Sequence, residues 1–109
     1  MAGLGDNESA QIAVAVGADG DGDPVITVTG ELDFSNADVL REAVGFACAG
    51  HPHRLVLELS GLRFIDSAGI AVLLAAISRV GQLCLRSPSP AVYRILEVTG
   101  LLGVMTIEP

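Results

Sequence analysis

The sequence predicts an α/β domain. It reads as a mixed, mostly parallel sheet of four to five strands in the order β-β-α-β-α-β-α-β, with helices mainly on one face. Three observations carry that prediction. Short runs rich in β-branched and aliphatic residues, such as Val25-Ile26-Thr27-Val28-Thr29, alternate with longer segments whose apolar residues recur at helical spacing. Gly, Pro, Ser and Asp stand at the junctions between them, where caps and turns need them. Short links and right-handed crossovers make successive parallel strands add along one direction, which places the helices on one side.

The elements follow in order. Residues 1–9 have no apolar period and read as a loose N-terminal tail, leaving 10–109 as one domain. Gln11–Val16 alternates as a first strand, and Val25–Thr29 is a second. The Asp19-Gly20-Asp21-Gly22-Asp23-Pro24 turn joins them into a hairpin. Ser35 opens a first helix with Asp38 three residues on as a near capping box. Leu40, Ala43, Val44, Ala47 and Cys48 form its apolar face, and Gly50 stops it. His51-Pro52-His53 leads into a third strand, Arg54–Leu59. A turn then leads to Asp66-Ser67 and a second helix, apolar from Ile70 to Ile77, which Gly81 ends. Gln82–Arg86 is a fourth strand. Ser89 caps a third helix with Pro90 at its first position, Val92, Ile95, Leu96 and Thr99 facing inward, and Gly100 as the stop. Val104–Ile107 is a short last strand.

Composition narrows the functional classes. Half of the 109 residues are hydrophobic, which excludes a disordered chain, and with no Trp the core must be aliphatic. The net charge is −7, the cations are six Arg with no Lys, and residues 1–42 hold nine of the acids against Arg41 alone. Such a chain repels phosphate backbones, so it is not expected to bind nucleic acid. The longest apolar segment falls far short of the roughly 20 residues of a membrane span. No signal peptide opens the chain, which points to a cytoplasmic protein. Cys48 and Cys84 have no zinc-site spacing and read as buried small hydrophobes, with a redox disulfide as the alternative. The Asp-rich turn fails the EF-hand test: counted from Asp19, Pro24 stands at the sixth place and Gly30 at the twelfth, where Gly and Glu are required.

The cluster Asp66-Ser67-Ala68-Gly69 sits between a strand and a helix, at the sheet edge where function gathers in open α/β folds. Ser67 is expected there as the helix cap. As a hydrolase nucleophile it lacks the first Gly of G-x-S-x-G, since Ile65 stands in that place. The histidines, His51 and His53, lie before the third strand, roughly 20 Å away at the far sheet edge. Asp33 and Asp66 both follow strands at the same edge, but no phosphate-cradling Gly loop accompanies them. The expectation is a protein that is not an enzyme and needs no cofactor or metal. Ser67 is instead a group that can be acted upon. A helix start tolerates a phosphate, which adds about −1.5 to −2 charge. Spacing alone favours the plain capping role.

Leu62-Arg63-Phe64-Ile65-Asp66-Ser67-Ala68-Gly69-Ile70 is similar to the apolar-x-Phe-x-Asp-Ser-x-Gly-Leu signature of the STAS-domain anti-sigma factor antagonists. Gly30-Glu31-Leu32-Asp33 and the segment Ser89 to Leu101 also resemble that family, and the likeness covers about residues 10–107. The resemblance implies an antagonist that binds an anti-sigma factor serine kinase and releases its sigma factor. The kinase then phosphorylates Ser67 and the complex parts, and a serine phosphatase resets it. By the same resemblance, Asp33, Asp66, Ala68, Gly69 and Ile70 contact the partner. Ile70 replaces the family's usual Leu, and the chain ends where many members carry one more helix. Lone STAS domains also serve lipid-transport ATPases and stress-sensing assemblies, which is the alternative assignment. Those of membrane transporters are fused to spans absent here.

Overall fold

The computed structural model describes residues 11–109. The predicted tail, residues 1–9, lies outside the described residues. Strand β1 (Ile12–Ala18) and strand β2 (Pro24–Leu32) pair antiparallel, with Ile12 opposite Gly30 and Ala18 opposite Pro24. Their turn is closed by Asp19, whose Oδ1 accepts the backbone N–H groups of Asp21 and Asp23, both at 3.0 Å. Gly30 takes φ +103°, and a Cβ there would lie 2.2 Å from the Gln11 carbonyl oxygen, so only glycine fits.

From β2 the chain enters helix α1 (Ala37–Cys48), then strand β3 (Arg54–Glu58), strand β4 (Leu62–Ile65), helix α2 (Ser67–Ile77), strand β5 (Gln82–Arg86) and helix α3 (Pro90–Val98). A 3₁₀ turn (Leu101–Val104) and strand β6 (Thr106–Glu108) complete it. The sheet runs β1-β2-β3-β5-β6, parallel apart from the hairpin, while β4 pairs with the far end of β2. Among the described residues the sheet thus has six strands rather than four to five. The additional one is β4, in the stretch read as a turn. Ser60-Gly61 interrupts the ladder, Gly30 N–H bonds to the Gly61 carbonyl at 2.9 Å, and the chain then resumes pairing with β2 through a register shift. That irregularity spoils the alternation by which strands are recognised.

Alternation places Ile26, Val28, Leu55, Leu57, Leu83 and Leu85 on one face of the sheet, all fully buried or nearly so. They pack with Leu40 and Val44 of α1, Val72, Leu73 and Ala76 of α2, and Val92 and Leu96 of α3 in a single cluster. All three helices of the described residues therefore cover one face. Each such aliphatic side chain contributes about 1.5–3 kcal/mol by leaving water.

On the other face, Val56 and Cys84 are also wholly buried. Beside them Arg54 pairs with Asp23 at 3.1 Å, with Asp19 at 3.4 Å and closely with Glu108, and Arg86 pairs with Glu108 at 3.0 Å. The carboxylates of Asp19, Asp21 and Asp23 come within 4.8 Å of one another, and the two arginines supply the counter-charge. Cys48 belongs to the helix-side core and Cys84 to the opposite face, so the sheet separates the two free thiols.

Several boundaries moved. Helix α1 starts at Ala37 after Asn36, without a side-chain cap, because the Ser35 hydroxyl bonds to Asp33 instead. Its end is turned by His51 at φ +53°, not by Gly50. Helix α2 ends at Ile77, where the Ser78 hydroxyl bonds to the Ala75 carbonyl at 2.8 Å. Gly81 serves instead to let the chain pass His53, whose Nδ1 would lie 2.7 Å from a Cβ there. In α3, Ser89 caps Val92 N–H and Gly100 turns at φ +78°, both as predicted. Thr99 is exposed rather than facing inward, its hydroxyl bonded to the Ile95 carbonyl at 2.8 Å. The last strand is Thr106–Glu108, because Leu101–Val104 first makes the 3₁₀ turn.

Candidate functional site

The parallel pairing of β2 with β4 sets Leu32 opposite Ile65. The next residues along each strand, Asp33 and Asp66, therefore emerge together at one sheet edge. Asp66 N–H bonds to the Leu32 carbonyl at 3.1 Å, which holds Asp66 in extended backbone at φ −108°, ψ −170°. That is the conformation of a helix N-cap. Its Oδ1 accepts Ala68 N–H at 2.8 Å and Gly69 N–H at 3.2 Å. Its Oδ2 accepts the Phe34 N–H of the neighbouring turn at 3.1 Å. One carboxylate thus caps α2 and ties it to the β2–α1 turn.

Asp33 organises that turn. Its Oδ1 accepts Ser35 N–H at 2.9 Å and the Ser35 hydroxyl at 2.6 Å, while its own N–H donates to Asn36 Oδ1 at 3.0 Å. Asn36, 8 % exposed, is the buried polar residue among those described, and its Nδ2 donates to the Glu31 carbonyl at 2.9 Å. The carboxylates of Asp33 and Asp66 both accept from backbone N–H groups.

Ser67 is the first residue of α2 rather than its cap. Asp66 takes the capping role because the β2 pairing fixes its backbone. Ser67 is exposed, and among the described residues its hydroxyl has no hydrogen-bond partner. Ala68 and Ile70 are half-buried. Gly69 is buried, and a Cβ there would lie 2.6 Å from Ile65 Cγ1 and 2.8 Å from Leu32 Cδ2, so the absence of a side chain seats α2 on the sheet. Beyond Ser67 the outer face of α2 shows Ala71, Leu74, Ala75 and Ser78. Phe34, which the sequence reading passed over, is 82 % exposed beside Asp66.

His53 lies by Gly81 at the start of β5, the sheet edge opposite Ser67, and neither His51 nor His53 joins this cluster. Three shallow clefts of about 260 to 300 Å³ open elsewhere, and none is lined by Asp33, Asp66 or Ser67. The arrangement is a surface patch: a free hydroxyl at a helix start, rimmed by carboxylates and backed by apolar side chains. Such a patch is suited to docking and modification, and among the described residues neither histidine lies beside the serine to activate it.

The family profile described as STAS domain matches residues 14–109. The chain is a STAS domain. A protein of Mycobacterium tuberculosis named anti-sigma-F factor antagonist RsfB is 38 % identical over 65 residues, which cover 60 % of this chain and 53 % of that protein. The match thus spans about half the length of that relative. An anti-sigma F factor antagonist of Paenibacillus polymyxa is 30 % identical over 88 residues, covering 76 % of this chain and 75 % of that one. Among solved structures, an anti-sigma factor antagonist from Mycobacterium paratuberculosis superposes with a TM-score of 0.82 at 32 % identity, covering 91 % of this chain and 86 % of the other. Each of these relatives is named as an anti-sigma factor antagonist. No helix of this STAS domain, among the described residues, is long and apolar enough to cross a membrane.

Proposed function

We propose that this STAS domain is a cytoplasmic anti-sigma factor antagonist. It binds an anti-sigma factor that is a serine kinase, thereby releases the sigma factor, and is switched off when the kinase phosphorylates Ser67. A serine phosphatase restores the active form. The observation that carries this reading is the state of Ser67: exposed, its hydroxyl free of hydrogen bonds among the described residues, and next to Asp66. The names of the relatives supply the class of partner.

The chemistry belongs to the partner. The Ser67 oxygen attacks the γ-phosphorus of ATP held by the kinase, a new O–P bond forms, the bond to ADP breaks, and the hydroxyl proton passes to a kinase base. The antagonist supplies the acceptor and the docking surface formed by Asp33, Asp66, Ala68, Ile70 and the backbone at Gly69. The phosphate then adds about −1.5 to −2 charge to an acidic edge. A partner whose counter-charges are matched to two carboxylates has none left for the dianion, and burying that charge unpaired costs enough desolvation to expel the partner.

Intact mass spectrometry tests this. Wild type and Ser67→Ala are incubated with ATP and an extract of the cells that make the protein. One added phosphate on wild type alone is the expected result. Unmodified wild type, under conditions that modify a known antagonist, would overturn the switch and leave a constitutive binding module.

A further inference from the structure

We infer that Phe34 is an aromatic anchor for the kinase, and that it helps decide which anti-sigma factor this antagonist engages. The inference rests on the proposed function and adds a residue to its docking surface. Phe34 is the most exposed of the chain's aromatic side chains, at 82 %. Exposure alone does not single it out, since Phe46 is 74 % exposed as well; what does is its place beside Asp66, and aromatic anchors buried on binding dominate interface energetics.

Its backbone explains why the ring is an anchor and not a loose side chain. Phe34 N–H is held by Asp66 Oδ2 at 3.1 Å, and the flanking turn is closed by Asn36 N–H and Ala37 N–H on the Asp33 carbonyl, at 3.1 and 2.9 Å. Asp33 Oδ1 closes it again on Ser35. The ring is therefore displayed from a turn whose ordering cost was met during folding, which leaves only two side-chain torsions to fix on binding. The same Asp66 carboxylate caps the helix that begins with Ser67. The Phe34 backbone and the start of the Ser67 helix therefore flank one carboxylate, so a kinase that reaches the Ser67 hydroxyl works beside Phe34.

Charge indicates what covers it. Glu31, Asp33, Asp38 and Asp66 lie within a few residues of Phe34 or are bonded to its turn, and the cations nearby are Arg41, closely paired with Asp38, and Arg63, 3.5 Å from Glu31. The complementary surface is an apolar pocket rimmed by basic side chains.

The test uses the full chain, ATP and the same cell extract. The initial rate of Ser67 phosphorylation is followed at antagonist concentrations well below and well above half-saturation, for wild type, Phe34→Ala and Phe46→Ala. Phe46 is a control of nearly equal exposure, 74 %, placed roughly 14 Å along α1 from its first residue, Ala37. Phe34→Ala should slow the reaction tenfold or more at low concentration and little at saturation. Phe46→Ala should stay within twofold throughout, and the urea midpoints of all three should agree. A Phe34→Ala rate within twofold of wild type at low concentration overturns the anchor while leaving the switch intact, and so does an equal loss in both variants. Wild type that takes no phosphate overturns the switch itself, and the anchor with it.

Discussion

Asp66→Ala is the perturbation whose cost the structure lets one work out most fully. The carboxylate accepts three backbone N–H groups, two in the first turn of α2 and one from Phe34. Losing an N-cap of this kind costs about 1 kcal/mol, with a range of roughly 0.5–2. The contact to Gly69, at 3.2 Å, lies at the long end for an N–H···O bond, so the capping part belongs near the middle of that range. The bond to Phe34 adds roughly 0.5–1.5 kcal/mol, toward the lower end because the turn is exposed and water replaces the acceptor. The sum is about 1.5–2.5 kcal/mol, and for a domain of this size a loss of 1 kcal/mol lowers Tm by roughly 4 °C. Asp66→Ala should therefore melt roughly 6–10 °C below wild type, with a matching drop in the urea midpoint at unchanged slope. Asp66→Asn keeps an acceptor oxygen of equal capping quality, and should recover most of that loss. A loss below about 0.5 kcal/mol in the Ala variant would refute the claim that one carboxylate staples the two loops. An Asn variant as unstable as the Ala variant would show that charge, not hydrogen-bond geometry, carries the effect.

Gly69→Ala must push Ile65 and Leu32 aside, since the new methyl would lie 2.6–2.8 Å from both. A loss of about 1–3 kcal/mol in urea denaturation is expected, and unchanged stability would show that α2 does not need this close seat. The pH dependence of stability should fall at both ends. Hydrogen bonds from the Cys84 thiol and Arg86 hold the Glu108 carboxyl below its ordinary range, so its contribution is present above about pH 4.3 and is lost as pH falls through the lowered value. Burial pushes the Cys84 thiol up, so its contribution is present below about pH 8.5 and is lost as pH rises through the raised value. Glu108→Gln should flatten the acid limb of a denaturation series, and an acid limb identical to wild type would refute that role for the Arg54–Glu108–Arg86 group.

What was legible in the sequence was local. Ser89-Pro90 and Gly100 mark the ends of α3 because cap, ring and left-handed glycine each act within three residues. Asp33 and Asp66 converge as read, since strand order brings their edges together. What escaped depends on register or on tertiary contact. Asp66 and Ser67 are both good caps, and only the Asp66 N–H bond to Leu32 across the sheet decides between them. Strand β4 hides behind its register shift. Gly50 looked like the stop of α1, yet the left-handed residue is His51. Phe34 escaped because nothing in sequence distinguishes an exposed phenylalanine from a core one, and core is the better prior.

The separation of cap from acceptor has a consequence for how such a switch can work. Had Ser67 capped α2, phosphorylation would have traded a structural hydrogen bond for a bulky dianion, and the helix start would have loosened with every cycle. Here Asp66 holds Ala68 and Gly69, and the Ser67 hydroxyl holds nothing among the described residues. A charge added there strains no bond that the fold depends on, although it sits beside the Asp66 carboxylate. Ser67→Ala should thus leave the urea midpoint within about 0.5 kcal/mol of wild type, as for a surface change that touches no cap or core contact. The same variant should lose phosphorylation altogether. A Ser67→Ala protein destabilised by 1 kcal/mol or more would mean that the hydroxyl carries structure after all, and that modification acts by loosening α2 and not by repelling a partner from an intact surface.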